Sequence, residues 1–205
     1  MHQNILDENQ RHLLPVLATF KKDFYMVGGT AIALHIGHRM SIDFDLFKNG
    51  AIRPKSILKK FEDQNEAAQV TLNIGGQLNL VCRAVKFTFF NYEFEIPHKE
   101  SVNDFITIPN LLDLTAMKAY ALGRRTKWKD YVDLYFILKN FFSITEVASR
   151  AKELYNDLFS EKLFRGQLSY FNGIDYSEQV IFMPGFEVGD EEVKAFLTET
   201  ALTGF

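Results

Sequence analysis

The chain has 205 residues, 47% of them hydrophobic and 24% charged, and a net charge of −3. That is ample material for the core of one domain or two small lobes, and it excludes nucleic-acid binding driven by the field of the whole molecule, so any such partner must meet a local basic patch. No apolar run approaches the roughly 18 residues of a membrane helix. The single Cys82 excludes an intramolecular disulfide, and the start MHQNILDENQRHLL carries charge where a signal peptide needs an apolar run, so a cytoplasmic protein without membrane partners is expected.

In chain order, the first element is a short apolar strand, Phe24 to Val27, followed by Gly28, Gly29 and a helix from Thr30 to Ile36. Ser41 to Phe47 alternates strictly and reads as a strand with Ile42, Phe44 and Leu46 on one face and Asp43 and Asp45 on the other. Two carboxylates about 7 Å apart on one strand face can converge on a pair of Mg²⁺ ions, the arrangement that clamps the attacking and leaving oxygens in phosphoryl chemistry. Gly28 and Gly29 let the backbone approach a phosphate, Thr30 adds a hydroxyl, and the helix that starts there turns its positive end to the same anion. Arg39 is a further candidate phosphate contact. Read separately, the glycines make an ordinary turn and the aspartates a solvated strand face; their order and spacing favour the nucleotide site.

Further strands are expected at Val70 to Ile74, Leu78 to Val81 and Val85 to Ile96, with Cys82 as a core residue. Near Pro109 the pattern turns helical. Asn110 can cap a helix to about Leu122, with Asp113 in the acidic position of a capping box. Helices follow at Lys129 to Phe142, Thr145 to Phe159, Glu161 to Phe171 and Asp190 to Leu202. Lys118 interrupts an apolar run, so it either snorkels to solvent or faces a polar cleft, where it could neutralise charge on a leaving pyrophosphate. Lys129 and Asp133 stand four apart and can pair on the helix. The RRTKWK stretch, Arg124 to Lys129, is a local basic patch with one aromatic, suited to an RNA backbone or to plain solvation. The 20 phenylalanines read as core. His35 and His38 lack ligands at zinc spacing, and His35 reads as structural.

VGGTAIALHIGHRMSIDFDLF resembles the first motif of the nucleotidyltransferase superfamily, most closely the AbiEii/AbiGii-type toxin family. LLDLTAMKAYALGRRTKWKDYVDLYFIL resembles that family's later motifs, a helical lysine followed by a basic stretch and Lys-Asp-x-x-Asp-Leu-Tyr. The resemblance covers roughly residues 10 to 140 and implies an α+β fold, a small mixed sheet flanked by helices (residues 1–108) with a helical lobe (residues 109–205) completing the cleft. It implies transfer of a nucleoside monophosphate from an NTP, with Mg²⁺ or Mn²⁺ as cofactor, to an RNA acceptor, tRNA in particular. It further implies catalytic roles for Asp43, Asp45, Lys118, Lys129 and Asp130, and an antitoxin as partner. The family pattern calls for a third carboxylate where this chain has Thr88, so either Asp43 and Asp45 suffice with phosphate and water, or Glu93 or Glu95 supplies a base. Both glutamates also fit a solvated strand face. Two other readings stay open: an antibiotic nucleotidyltransferase of the aminoglycoside-modifying kind, and a degenerate nucleotide-binding module that engages a partner protein.

Overall fold

Alternation decides the centre of the N-terminal sheet: Phe44 and Leu46 are fully buried, whereas Asp43 and Asp45, pointing the other way, are partly exposed. In the computed structural model, which describes residues 1–124 and 126–203, the chain divides into two units, residues 1–110 and 111–205.

The first unit carries strands β1 (Tyr25–Val27), β2 (Asp43–Lys48), β3 (Gln69–Ile74), β4 (Gln77–Cys82), β5 (Val85–Asn91), β6 (Glu100–Val102) and β7 (Ile106–Ile108). Its helices are α1 (Glu8–His12), α2 (Leu14–Ala18), α3 (Gly28–Ile36) and α4 (Pro54–Glu62). The strands form one seven-stranded sheet in the order β3-β4-β5-β2-β1-β7-β6. It is mixed: β2 pairs in parallel with β5, and β1 with β7, while the remaining neighbours are antiparallel. A parallel pair needs a long crossover, and between β2 and β5 the chain builds α4 and the β3–β4 hairpin. The core is aromatic. Phe20, Phe44, Phe61, Phe87 and Phe89 are completely buried, with ring centroids 4.9 Å apart for Phe20–Phe89, 5.1 Å for Phe61–Phe87 and 5.2 Å for Phe44–Phe87. Such tilted and edge contacts add about 0.5–1.5 kcal/mol per pair beyond burial.

The second unit is helical: α5 (Leu111–Ala121), α6 (Trp128–Asn140), α7 (Ile144–Tyr155), α8 (Glu161–Leu168) and α9 (Asp190–Leu202). The stripe Tyr131, Leu134, Tyr135 and Leu138 on α6 is buried, and Val147, Phe164, Val193 and Leu197 from α7, α8 and α9 join the same cluster. A reciprocal capping box of Ser143 and Glu146 starts α7. Among the described residues no helix is long and apolar enough to cross a membrane.

Two expectations are corrected. The long strand Val85 to Ile96 stops at Asn91, because β2, its parallel partner, ends at Lys48 opposite Asn91 and leaves no backbone to pair with. Ile42 lies ahead of β2 and is 46% exposed, so the buried face of β2 is Phe44 and Leu46 alone.

Candidate active site

In the first unit, β2 runs between β1 and β5, and the register fixes what stands beside each aspartate. Asp45 lies opposite Val27 of β1 and Thr88 of β5; Asp43 lies opposite Lys86, and Phe47 opposite Tyr25 and Phe90. Paired residues share a face, so Asp43, Asp45, Lys86 and Thr88 form one partly exposed patch. Asn79 of β4, opposite Thr88, extends it and accepts a hydrogen bond from Gln77 at 3.0 Å. Thr88 thus occupies the place beside Asp45 where a third carboxylate was sought. Glu93 and Glu95 are exposed and lie beyond the end of β5, which fits solvated side chains. Phe47, Phe90 and Tyr92 pack on one another, centroids 5.3 Å apart for Phe47–Phe90 and 5.0 Å for Phe47–Tyr92. These rings are partly exposed, so some of the aromatics lie outside the core.

The glycine pair belongs to this patch for steric reasons. Helix α3 starts directly after β1, and Gly28 takes φ +75° there, a conformation that favours glycine. A Cβ on Gly28 would collide with the Asp45 carboxylate, and one on Gly29 would lie 2.6 Å from Arg39 Nη2 and 3.3 Å from Ser41 Oγ. Arg39 is buried and donates from Nη1 to the Met40 carbonyl at 3.0 Å. Thr30 is 1% exposed, and its hydroxyl donates to the Asp43 carbonyl and approaches Ser41 Oγ at 2.9 Å. Through these bonds Thr30 fastens the start of β2. The residue before α3, Val27, makes no side-chain cap, and the helix N-terminus turns backbone N–H groups and its positive end towards an anion. Two partly exposed carboxylates on one strand face suit Mg²⁺, which takes one or two carboxylates and fills its octahedron with water and substrate phosphates. Among the described residues no group of three or more His, Cys, Asp or Glu side chains is placed to hold a metal, so substrate oxygens would have to complete the shell.

In the second unit Lys118 neither snorkels nor stands open to solvent. Its ammonium lies 2.5 Å from Asp130 Oδ1 and 2.9 Å from Asp133 Oδ2, with side-chain exposures of 3%, 6% and 0% for the three residues. The helical spacing puts Asp130 and Asp133 on the same inward face of α6. Lys129 does not pair with Asp133 as its spacing suggested. It reaches Glu178 at 3.4 Å, and Lys127 binds the same carboxylate. Partial burial would raise the Glu178 carboxyl, but the hydrogen bonds and charges of Lys127 and Lys129 hold it below its ordinary value.

The basic patch is accordingly weaker than its sequence. Trp128 is buried between Tyr131 and Tyr176, ring centroids at 6.0 and 5.2 Å, and offers no face to a base. Arg124 lies 3.8 Å above the Tyr120 ring, which stacks on Tyr155 at 3.9 Å; Arg125 falls outside the described residues. His35 Nε2 bonds the Pro109 carbonyl at 3.0 Å, the structural role expected of it. Cys82 is buried, and burial with the neighbouring Glu66 charge pushes its thiol up to about 11, far from a reactive thiolate. Sequence reasoning missed Ser41 and Glu178. Ser41 had a usable signal, a hydroxyl two residues before the first aspartate, whereas Glu178 lies 51 positions from Lys127 with no local pattern to mark it.

Comparison with known proteins bears on this geometry. The family model described as nucleotidyl transferase AbiEii toxin, Type IV TA system, matches residues 13–181. An uncharacterized protein of Aquifex aeolicus is 29% identical over 163 residues, which cover 75% of this chain and 77% of that one. Among solved structures, a candidate nucleotidyltransferase from Helicobacter pylori superposes with a TM-score of 0.60 at 19% identity, covering 98% of this chain and 91% of its own. The nucleotidyltransferase toxin MenT4 of Mycobacterium tuberculosis gives 0.59 at 14% identity, covering 94% of this chain and 80% of its own. At such identities the two structures establish a shared fold.

Proposed function

Because the chain belongs to the AbiEii nucleotidyl transferase toxin family of Type IV toxin-antitoxin systems, we propose that it moves a nucleoside monophosphate from an NTP to a hydroxyl of RNA, tRNA foremost, in the cytoplasm. The observation that carries this reading is the pair Asp43 and Asp45 on one partly exposed strand face, with Gly28 packed against Asp45. In the reaction the acceptor oxygen bonds to the α-phosphorus, the bond to the bridging oxygen breaks, pyrophosphate leaves, and the acceptor proton passes to water. Mg²⁺ or Mn²⁺ held by Asp43 and Asp45 would neutralise the phosphates and polarise the attacked phosphorus. Gly28 and Gly29 leave room for the phosphates against the first-turn N–H groups of α3, while Thr30 keeps β2 in place. Arg39, packed on Gly29, adds positive charge close to those glycines. Phe47 and Phe90 offer partly exposed rings to a base. The family resemblance assigns Lys118, Lys129 and Asp130 to the same reaction, with Asp130 orienting Lys118 by their ion pair.

The test is to incubate the protein with total cellular RNA, Mg²⁺ and each labelled NTP in turn; label in RNA from wild type and on the order of a hundredfold less or lower from Asp45→Asn is expected. Absence of labelled RNA with all four nucleotides would overturn the RNA acceptor. Thr88 beside Asp45 favours one other reading, a nucleotide-binding module without turnover that engages a partner protein. NTP binding without pyrophosphate release under any acceptor would establish it. The antitoxin partner is tested by co-expression of the neighbouring gene, which should relieve any growth arrest the protein causes.

A further inference from the structure

The first unit holds a second cluster of chemistry, away from the aspartate face. Lys48 is three residues beyond Asp45 on β2, so by alternation it projects from the opposite side of the sheet, with Phe44 and Leu46. There a cavity of about 320 Å³ is lined by Phe20, Phe24, Ile57 and Ser56 and by the charged Asp23, Lys48, Arg53 and Lys60. Three cations face one carboxylate. Lys60 donates to the Thr19 carbonyl at 2.6 Å and lies 3.5 Å from Asp23. Among the described residues neither Lys48 nor Arg53 has an ion-pair partner. A chain whose net charge is −3 thus concentrates positive charge around one concave volume, and concave low-dielectric walls strengthen such a field.

Its chemistry selects among anions. The rings beneath are already covered by ammonium groups: Lys60 Nζ lies 4.7 Å from the Phe20 centroid and Lys48 Nζ 5.4 Å from that of Phe24. Phe20 is fully buried and Phe24 nearly so, so neither ring is open to a nucleobase. What the cavity presents is two unpaired cations, a third held in place by Thr19, and the Ser56 hydroxyl. The surplus of two positive charges in the lining matches a phosphate dianion or two successive phosphodiesters better than a single carboxylate.

We propose that this cavity is a phosphate-binding site, separate from the Asp43–Asp45 face, that holds a phosphate group of a free phosphate compound or of an RNA strand through Lys48, Arg53 and Lys60. The assignment does not depend on the catalytic reading, because it rests on the other face of the sheet. The experiment is titration of the isotopically labelled full chain in EDTA, which removes divalent metal from the aspartates, with three probes: pyrophosphate, a short single-stranded RNA, and a polyglutamate peptide of comparable charge. Amide shifts at Lys48, Arg53 and Ser56 are expected with pyrophosphate, with RNA or with both. Saturation by pyrophosphate alone assigns the site to free phosphate compounds. Saturation by RNA assigns it to the strand, with a slope of log affinity against log salt that falls by roughly 0.7 for each phosphate contact removed. The Lys48→Gln, Arg53→Gln double variant, which leaves the Lys60–Thr19 bond intact, should bind at least tenfold more weakly. Shifts confined to Gly28–Thr30, equal affinity in the double variant, or equal binding of polyglutamate would each overturn the proposal.

Discussion

The same residue types, lysine and aspartate, make two opposite environments in this protein. In the sheet unit Asp43 and Asp45 stand partly exposed on a strand face with Lys86 and Thr88 beside them. In the helical unit Lys118, Asp130 and Asp133 are almost wholly buried and bound to one another. Burying charge is costly unless it is paired, and a pair once buried becomes costly to break. Substitution of the partly exposed carboxylates is expected to disturb folding less than substitution in the triad, whose burial couples any chemistry it performs to the integrity of the fold.

The largest expected effect falls on that triad. Lys118→Ala removes the buried cation that two interior carboxylates share and should destabilise the protein by about 3–5 kcal/mol, read from the midpoint of urea denaturation. Neither sequence alternative, a snorkelling lysine or a cleft-facing one, anticipates a cost of this size. A midpoint matching wild type would show that the triad opens to water in solution.

Asp45→Asn tests the other side of the contrast. It keeps the shape beside Gly28 and removes the charge, so nucleotide transfer should fall by on the order of 10²–10³, as for loss of one charge-stabilising group, while the melting temperature moves by only a few degrees. A collapse of the fold in this variant would erase the distinction between the two regions.

Gly28→Ala sharpens it, because the new Cβ meets both a positive φ and the Asp45 carboxylate. About 1–3 kcal/mol of strain is expected, together with loss of metal-dependent NTP binding as Asp45 is displaced. Calorimetry of both properties in one sample checks the coupling; strain with unchanged NTP binding would detach Gly28 from the site.

The smallest effect is at Glu178, which Lys127 and Lys129 hold below its ordinary value of 4.5. A carboxyl depressed in the folded state contributes stability that is complete above 4.5 and is lost as pH falls through the folded value. Wild type should therefore lose more stability than Glu178→Gln as pH drops below about 4.5, with the two following parallel curves at neutral pH. Thermal melts across that range measure the difference, and parallel curves throughout would mean that Lys127 and Lys129 do not hold Glu178 below its ordinary value in the fold.

How far the sequence reaches is visible in particular elements. Asp190–Leu202 was expected as a helix with those bounds and is one, because its acidic first turn and flanking glycine are local signals. The alternation of Asp43 to Lys48 places the aspartates on one face without help from the rest of the chain. Helix α4 is not legible in the sequence although Pro54 stands at its start and Ile57 and Phe61 are four apart and buried; two buried apolar residues in nine make a narrow stripe. β6 and β7 have three residues each and exist through pairing, β7 with β1 and β6 with β7. Lys118 was recognised as out of place in an apolar run, but its partners lie 12 and 15 positions away on another helix, and only tertiary packing could choose between solvent and carboxylates. The Lys127–Glu178 pairing is still more remote.

The parallel joint between β2 and β5 also has a meaning in time. Residues 45 and 88 become neighbours only after everything between them, α4 and the β3–β4 hairpin, has been laid aside. Contacts of such sequence separation form late, since loop closure must precede any gain from the pairing. On the ribosome the aspartates therefore emerge long before the strand that frames them. Until Asn91 has cleared the exit tunnel the nascent chain has its two acidic residues but no Thr88 row, no Phe90 ring and no fixed sheet face beneath them.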